Sequence, residues 1–119
     1  MNRTWLRGRL GREIELRKTQ TGKSVTTFFV AVTTGYGDQQ KTNWIRCIAW
    51  EKQADTLAQY SHKGDEVEID GRLIENKYKD RDTGKEISTL EVRCTTVTIL
   101  TRKSNQNSRT VIHSSKTAL

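Results

Sequence analysis

Two tryptophans bracket an arginine in Asn43-Trp44-Ile45-Arg46-Cys47-Ile48-Ala49-Trp50. Read as a strand of period two, the stretch has two unlike faces. Ile45, Cys47 and Ala49 are small to medium and apolar, and suit a tight interior. Trp44, Arg46, Ile48 and Trp50 share the other side. Large rings normally go inside, so two indoles beside a guanidinium on an outer face need a reason. One reason is that flat bases stack on the rings while the cation holds phosphate or a base plane. The other is that a partner subunit buries both rings. This strand alone leaves the two open.

Further rings and cations recur along the chain. Over residues 3–10, Thr4, Leu6, Gly8 and Leu10 make one side, and Arg3, Trp5, Arg7 and Arg9 the other. A row of arginines on a sheet is unfavourable unless solvent or anions separate the charges. A basic polar turn carries Arg17 and Lys23. Tyr36 stands between Gly35 and Gly37 in a polar loop, as a solvated surface residue or a ring open to a ligand. Residues 76–86 read as a polar hairpin tip with the turn signal Asp82-Thr83-Gly84, carrying Lys77, Tyr78 and Lys79.

Other chemistries find no support. No His-x-x-x-His or cysteine cluster offers a metal site. Asp80 and Asp82 alternate with basic residues, as in a solvated turn. Gly35-x-Gly37 lacks the strand-to-helix setting of a nucleotide loop. No catalytic constellation, metal or cofactor is therefore expected.

With 119 residues the chain makes one domain. Only 33% of residues are hydrophobic and 29% are charged, so the core must be small. The net charge of +7 points to a polyanion, nucleic acid before anionic membrane. No apolar run approaches the ~18–20 residues of a membrane span, and the first residues lack the apolar segment of a signal peptide. The protein is expected to stay in the compartment where it is made, the cytoplasm. Cys47 and Cys94 each fall in an apolar strand pattern and read as buried free thiols.

The elements that must position these residues come in a definite order. Strands at 3–10, 25–34 and 43–50 are followed by a helix over 51–60, then strands from 67 and over 87–100. The first strand pattern can resume through Ile14 and Leu16. Phe28, Val30 and Val32 are core candidates on the second strand. Phe29 faces outward, as a subunit contact or a stacking ring. Ala54, Leu57 and Ala58 form the helix stripe, and Lys63-Gly64 the stop. In the fourth strand Val67, Ile69, Gly71 and Leu73 share a phase. In the fifth, Leu90, Val92 and Cys94 share a phase that Val97 and Ile99 have left by one, which predicts a bulge near Thr95-Thr96. Three strands, a helix and two strands is the order of the OB-fold, a five-stranded Greek-key barrel with one capping helix between strands three and four. The domain spans residues 1–101. Residues 102–119 hold four basic residues and no acid, and read as a short, disordered basic tail.

The chain resembles the bacterial-type single-stranded DNA-binding proteins. The resemblance rests on Asn2 with Leu6-x-Gly8-Arg9-Leu10-Gly11, Glu15-Leu16-Arg17, Gly22-Lys23, Trp44-x-Arg46 with Trp50, Lys63-Gly64 and Gly71-Arg72-Leu73, in order over about residues 1–100. It implies a homotetramer, built as a dimer of dimers, that binds single-stranded DNA without base specificity in replication, recombination and repair. It implies base stacking on Trp44, Trp50 and Tyr78, and more loosely on Tyr36. Arg46, Arg3, Arg7, Arg9, Arg17, Lys23, Lys77 and Lys79 complete the expected nucleic-acid face. Two features depart from the family. The tail lacks the acidic tip that recruits replication proteins, and Trp5 and Arg7 replace aliphatics. Two alternatives follow: a protein-interaction OB module, such as a primosomal replication-restart accessory, or an RNA-binding OB domain.

Overall fold

The computed structural model describes residues 1–101. The tail expected over 102–119 lies outside the described residues. Six strands form one sheet: β1 (Thr4–Leu10), β2 (Arg17–Lys18), β3 (Ser24–Thr34), β4 (Lys41–Trp50), β5 (Glu66–Lys79) and β6 (Glu86–Thr101). Helix α1 (Lys52–Tyr60) lies between β4 and β5. The strand order is β1-β5-β6-β4-β3-β2, and β1 also pairs with β3 through Arg9↔Ala31 and Leu10↔Val30. The sheet therefore closes on itself as an OB-fold barrel. The five expected strands make the ring, and β2 is a two-residue addition from the basic turn, paired to Val25 and Ser24.

Alternation places the core. Leu10, Phe28, Val30, Cys47, Ala49, Val67, Ile69, Val92 and Cys94 point inward, and Leu57 and Ala54 of α1 plug one end. Gly8 and Gly71 mark places where strands approach closely. A β-carbon would lie 2.3 Å from the Ala31 carbonyl oxygen at Gly8, and 2.2 Å from that of Arg93 at Gly71. Cys47 and Cys94 are free and buried. Its hydrogen bond to the neighbouring Cys47 sulfur, followed by burial, pushes the Cys94 thiol pKa far up, so it stays protonated.

The slip in β6 is real. Asp70 pairs with Thr96 but Gly71 pairs with Cys94, which leaves Thr95 as the extra residue. Just past the bulge, the Val97 backbone N–H donates to Gln53 Oε1 of α1 at 2.9 Å. The helix thus satisfies a donor that the interrupted ladder leaves over.

Several expectations are corrected. The polar stretch 76–86 is not all hairpin tip, because strand pairing continues to Lys79↔Glu86 and the turn is confined to 80–85. This two-stranded arm projects past the barrel, so Leu73 and Leu90 are exposed although they keep the inward phase. Ala58 is also exposed: Ala54 and Leu57 alone of the stripe reach the core. The first strand does not resume after Leu10. Ile14 packs against the core from a loop, and Leu16 is exposed. The helix stops at Ser61, whose backbone is extended and whose hydroxyl donates to the Leu57 carbonyl at 2.6 Å. Gly64, at φ 89°, serves the turn that follows.

Candidate nucleic-acid interface

Pairing register shows which side chains share the outer face. Across β3 and β4 the partners are Val25↔Trp50, Thr27↔Ile48, Phe29↔Arg46 and Ala31↔Trp44. On the far side of β4, Ile48 pairs with Arg93 of β6, and Arg93 with Arg72 of β5. Directly opposed residues point to the same side of a sheet. One continuous face therefore carries Trp44, Arg46, Trp50, Arg93 and Arg72, with Phe29 beside Arg46. Trp44 and Trp50 are separated by roughly 20 Å along the strand at ~3.3 Å per residue.

Each ring is set differently. Trp44 is 59% exposed. Its six-membered ring lies against Gly11, where a β-carbon would come within 2.6 Å of it. Gly11 is held in turn by its N–H to the Phe29 carbonyl at 3.1 Å. Trp50 is half-buried, with the Arg93 guanidinium 5.6 Å from its ring centroid. That distance is within cation–π range. Arg46 donates from Nε to Oε1 of the buried Glu91 at 3.2 Å, and Asn76 donates to the same oxygen at 3.4 Å.

The model of the single-strand binding protein family matches residues 1–100. The chain belongs to this family. It is 38% identical over 108 residues to single-stranded DNA-binding protein 1 of Chlorobaculum tepidum, covering 87% of this chain and 67% of that one. It is 39% identical over 103 residues to the single-stranded DNA-binding protein of Bacillus cereus, covering 84% and 60%. That of Halalkalibacterium halodurans is 36% identical over 110 residues, covering 90% and 65%. The chain thus spans about 60–67% of the length of these relatives.

The remaining candidates of this family member divide between faces. Tyr78 is 51% exposed and shares its side of the arm with Asn76 and Ile74, continuous with Arg72. Lys77 and Lys79 alternate with it and so lie on the arm's other side, where Lys77 Nζ approaches Glu75 at 3.9 Å. Arg17 stands on the row of Val25 and Trp50 and donates to the Thr27 hydroxyl at 3.3 Å. Lys23 is exposed in the turn beyond β2. Tyr36 is 86% exposed, just before a 3-10 turn at Gly37–Gln39.

Arg3 and the arginines of β1 are engaged elsewhere. Arg3 meets Asp70 through two bonds at 3.2 and 2.9 Å, and Arg7 meets Glu66 at 3.0 and 3.3 Å. These carboxylates raise the pKa of both guanidinium groups, through hydrogen bonding first and charge second. Arg9 donates to the Gly64 carbonyl at 3.0 Å. The row of like charges in the sequence is therefore balanced by the neighbouring strand.

Arg93 and Glu91 went unnoticed in the sequence. Their signal was available: both stand on the phase opposite Val92 and Cys94, so both belong to the outer face of β6.

Proposed function

We propose that the protein binds single-stranded DNA without regard to sequence and shields it during replication, recombination and repair. The observation that carries this reading is the open Trp44 ring on one face with Arg46, Trp50, Arg93 and Arg72. Stacking on such rings contributes ~1–3 kcal/mol per base and tolerates any base. The family and the names of the relatives support it. Trp44, Trp50 and Tyr78 take bases, with Tyr36 at the margin. Arg46, Arg17 and Lys23 serve phosphates close to the indoles. Lys77 and Lys79 serve them from the arm. Arg3, Arg7 and Arg9 play a lesser part because carboxylates and a carbonyl already hold them.

The protein acts as a binder and not an enzyme, and works in the cytoplasm at the nucleoid. It assembles as a homotetramer, a dimer of dimers. The exposed Trp5, Leu73 and Leu90 support burial against further copies. Its solution mass tests this, and a monomer at micromolar concentration would refute it.

The decisive experiment is titration with oligo-dT, read by tryptophan fluorescence. Quenching is expected, with affinity falling as salt rises because neutralised phosphates release counterions. No quenching, or a clear preference for matched RNA, would overturn the reading.

A further inference from the structure

Two arginines stand directly opposite one another in the β5–β6 ladder, at Arg72↔Arg93. Both side chains are exposed, and among the described residues neither makes an ion pair. The carboxylates nearest along their strands are already committed. Asp70 is taken by Arg3, and Glu91 by Arg46. Like charges directly opposed on a sheet repel and destabilise the pair. Nothing in the barrel interior requires either residue. An anion between the two guanidinium groups would turn this repulsion into attraction, since each offers a planar fork of donors to phosphate.

The position of the pair gives it a role. Arg93 covers one side of the Trp50 ring, and Trp50 is a stacking candidate. We propose that Arg72 and Arg93 together hold one phosphate of a bound strand, the phosphate adjoining the base on Trp50. The site extends the interface across β6 onto β5, past the strand that bears the two indoles. It also explains why the half-buried ring can serve a ligand. When Arg93 turns toward phosphate, the ring face it covered opens to a base. The site takes a phosphodiester or a free polyphosphate by the same chemistry. This inference rests on the proposed single-stranded reading.

The test uses the full chain and the variants Arg72→Gln, Arg93→Gln and the double variant. Affinity for oligo-dT is measured over a salt series. Each single variant should reduce the slope of log affinity against log salt by about 0.7, the share of one phosphate on a single strand. The double variant should lose little more, because both residues hold the same phosphate. Neither variant should melt below the wild type by more than the Arg93–Trp50 contact explains, and Arg72→Gln leaves that contact alone. Unchanged slopes overturn the proposal, as do losses that add in the double variant. Should the wild type fail to bind oligo-dT, the single-stranded reading falls and inorganic tripolyphosphate decides the site. A rise in wild-type melting temperature that disappears in Arg72→Gln upholds it, and no difference between the two overturns it.

Discussion

The carboxylate of Glu91, only 2% exposed, meets the guanidinium of Arg46 with Oε1 3.2 Å from Nε. This pair sits in the middle of the candidate face. Arg46, with its side chain 42% exposed, therefore has two tasks: it neutralises a buried acid on one side and presents charge to solvent on the other.

Removing one partner of a buried ion pair typically costs 3–5 kcal/mol, because the other charge is left stranded. Here Asn76 still donates to Glu91, and solvent reaches the arginine. Arg46→Ala should therefore destabilise folding by about 2 kcal/mol, visible as a lower urea midpoint. Arg46→Lys should retain most of that stability. An Arg46→Ala protein as stable as the wild type would show that the pair adds nothing to the fold. Loss of DNA binding in Arg46→Ala must accordingly be read beside its stability.

The two tryptophans should separate in a similar way. Trp44→Ala removes an exposed ring and should cost ~1–3 kcal/mol of oligo-dT affinity with little change in melting temperature. Trp50→Ala should cost a similar amount of affinity and also lower the melting temperature, since the ring is half-buried under Arg93. Gly11→Ala gives a check on geometry. Its β-carbon would displace the Trp44 ring, so fluorescence quenching should change without any ring being removed. Unchanged affinity in Trp44→Ala would take that residue out of the site.

The alternation of single strands was enough to place Trp44, Arg46 and Trp50 outside and Ile45, Cys47 and Ala49 inside. The bulge was legible for the same reason, as Cys94 and Val97 cannot share a face without an extra residue. The burial of Glu91 was not legible. A glutamate on the polar phase looks solvated until Arg46 and Asn76, remote in sequence, close over it. The length of the arm was hidden too, because Lys77, Tyr78 and Lys79 carry no apolar alternation to mark a strand. Pairing with β6 extends β5 there without a core beneath it. Arg3 and Arg7 suggested an anion-binding row only because their acids, Asp70 and Glu66, lie on β5, some 60 residues away.

Gly71 should be among the least replaceable residues. An alanine β-carbon would meet the Arg93 carbonyl oxygen at 2.2 Å, a backbone atom that cannot rotate away. Relief would require β5 and β6 to part at the bulge, beneath the proposed phosphate pair. Gly71→Ala should cost on the order of 3 kcal/mol, the upper end for overpacking. Thermal unfolding measures it, and a melting temperature within a degree of wild type would refute the close approach.

Arg3 and Arg7 offer a contrast with Arg72 and Arg93. Exposed ion pairs contribute little to stability. Arg3→Gln with Arg7→Gln should change melting temperature little. Because both cations are already neutralised, the salt slope of DNA binding should stay near wild type. A drop of about 1.4, the share of two phosphates on a single strand, would instead place both arginines on the DNA path.

Glu13 links pH to the loop that supports Trp44. The Lys63 backbone N–H donates to its Oε2 at 2.7 Å, and the His62 ring lies 3.4 Å from Oε1. The Lys63 N–H first, and His62 after it, lower the Glu13 pKa below its usual value. A carboxyl group whose pKa is lowered by folding stabilises the fold above its unfolded pKa, and loses that contribution as pH falls through the folded value. Wild type should therefore melt higher than Glu13→Gln near neutral pH, and the two curves should converge below the ordinary carboxylate pKa of ~4.3. Parallel curves would show that the contact does not depend on charge. Because residues 11–16 run from the glycine under Trp44 to β2, loosening this anchor should also broaden the setting of the ring. Trp44 quenching by oligo-dT should then weaken in Glu13→Gln at neutral pH, while Trp50, on the opposite end of β4, reports no change.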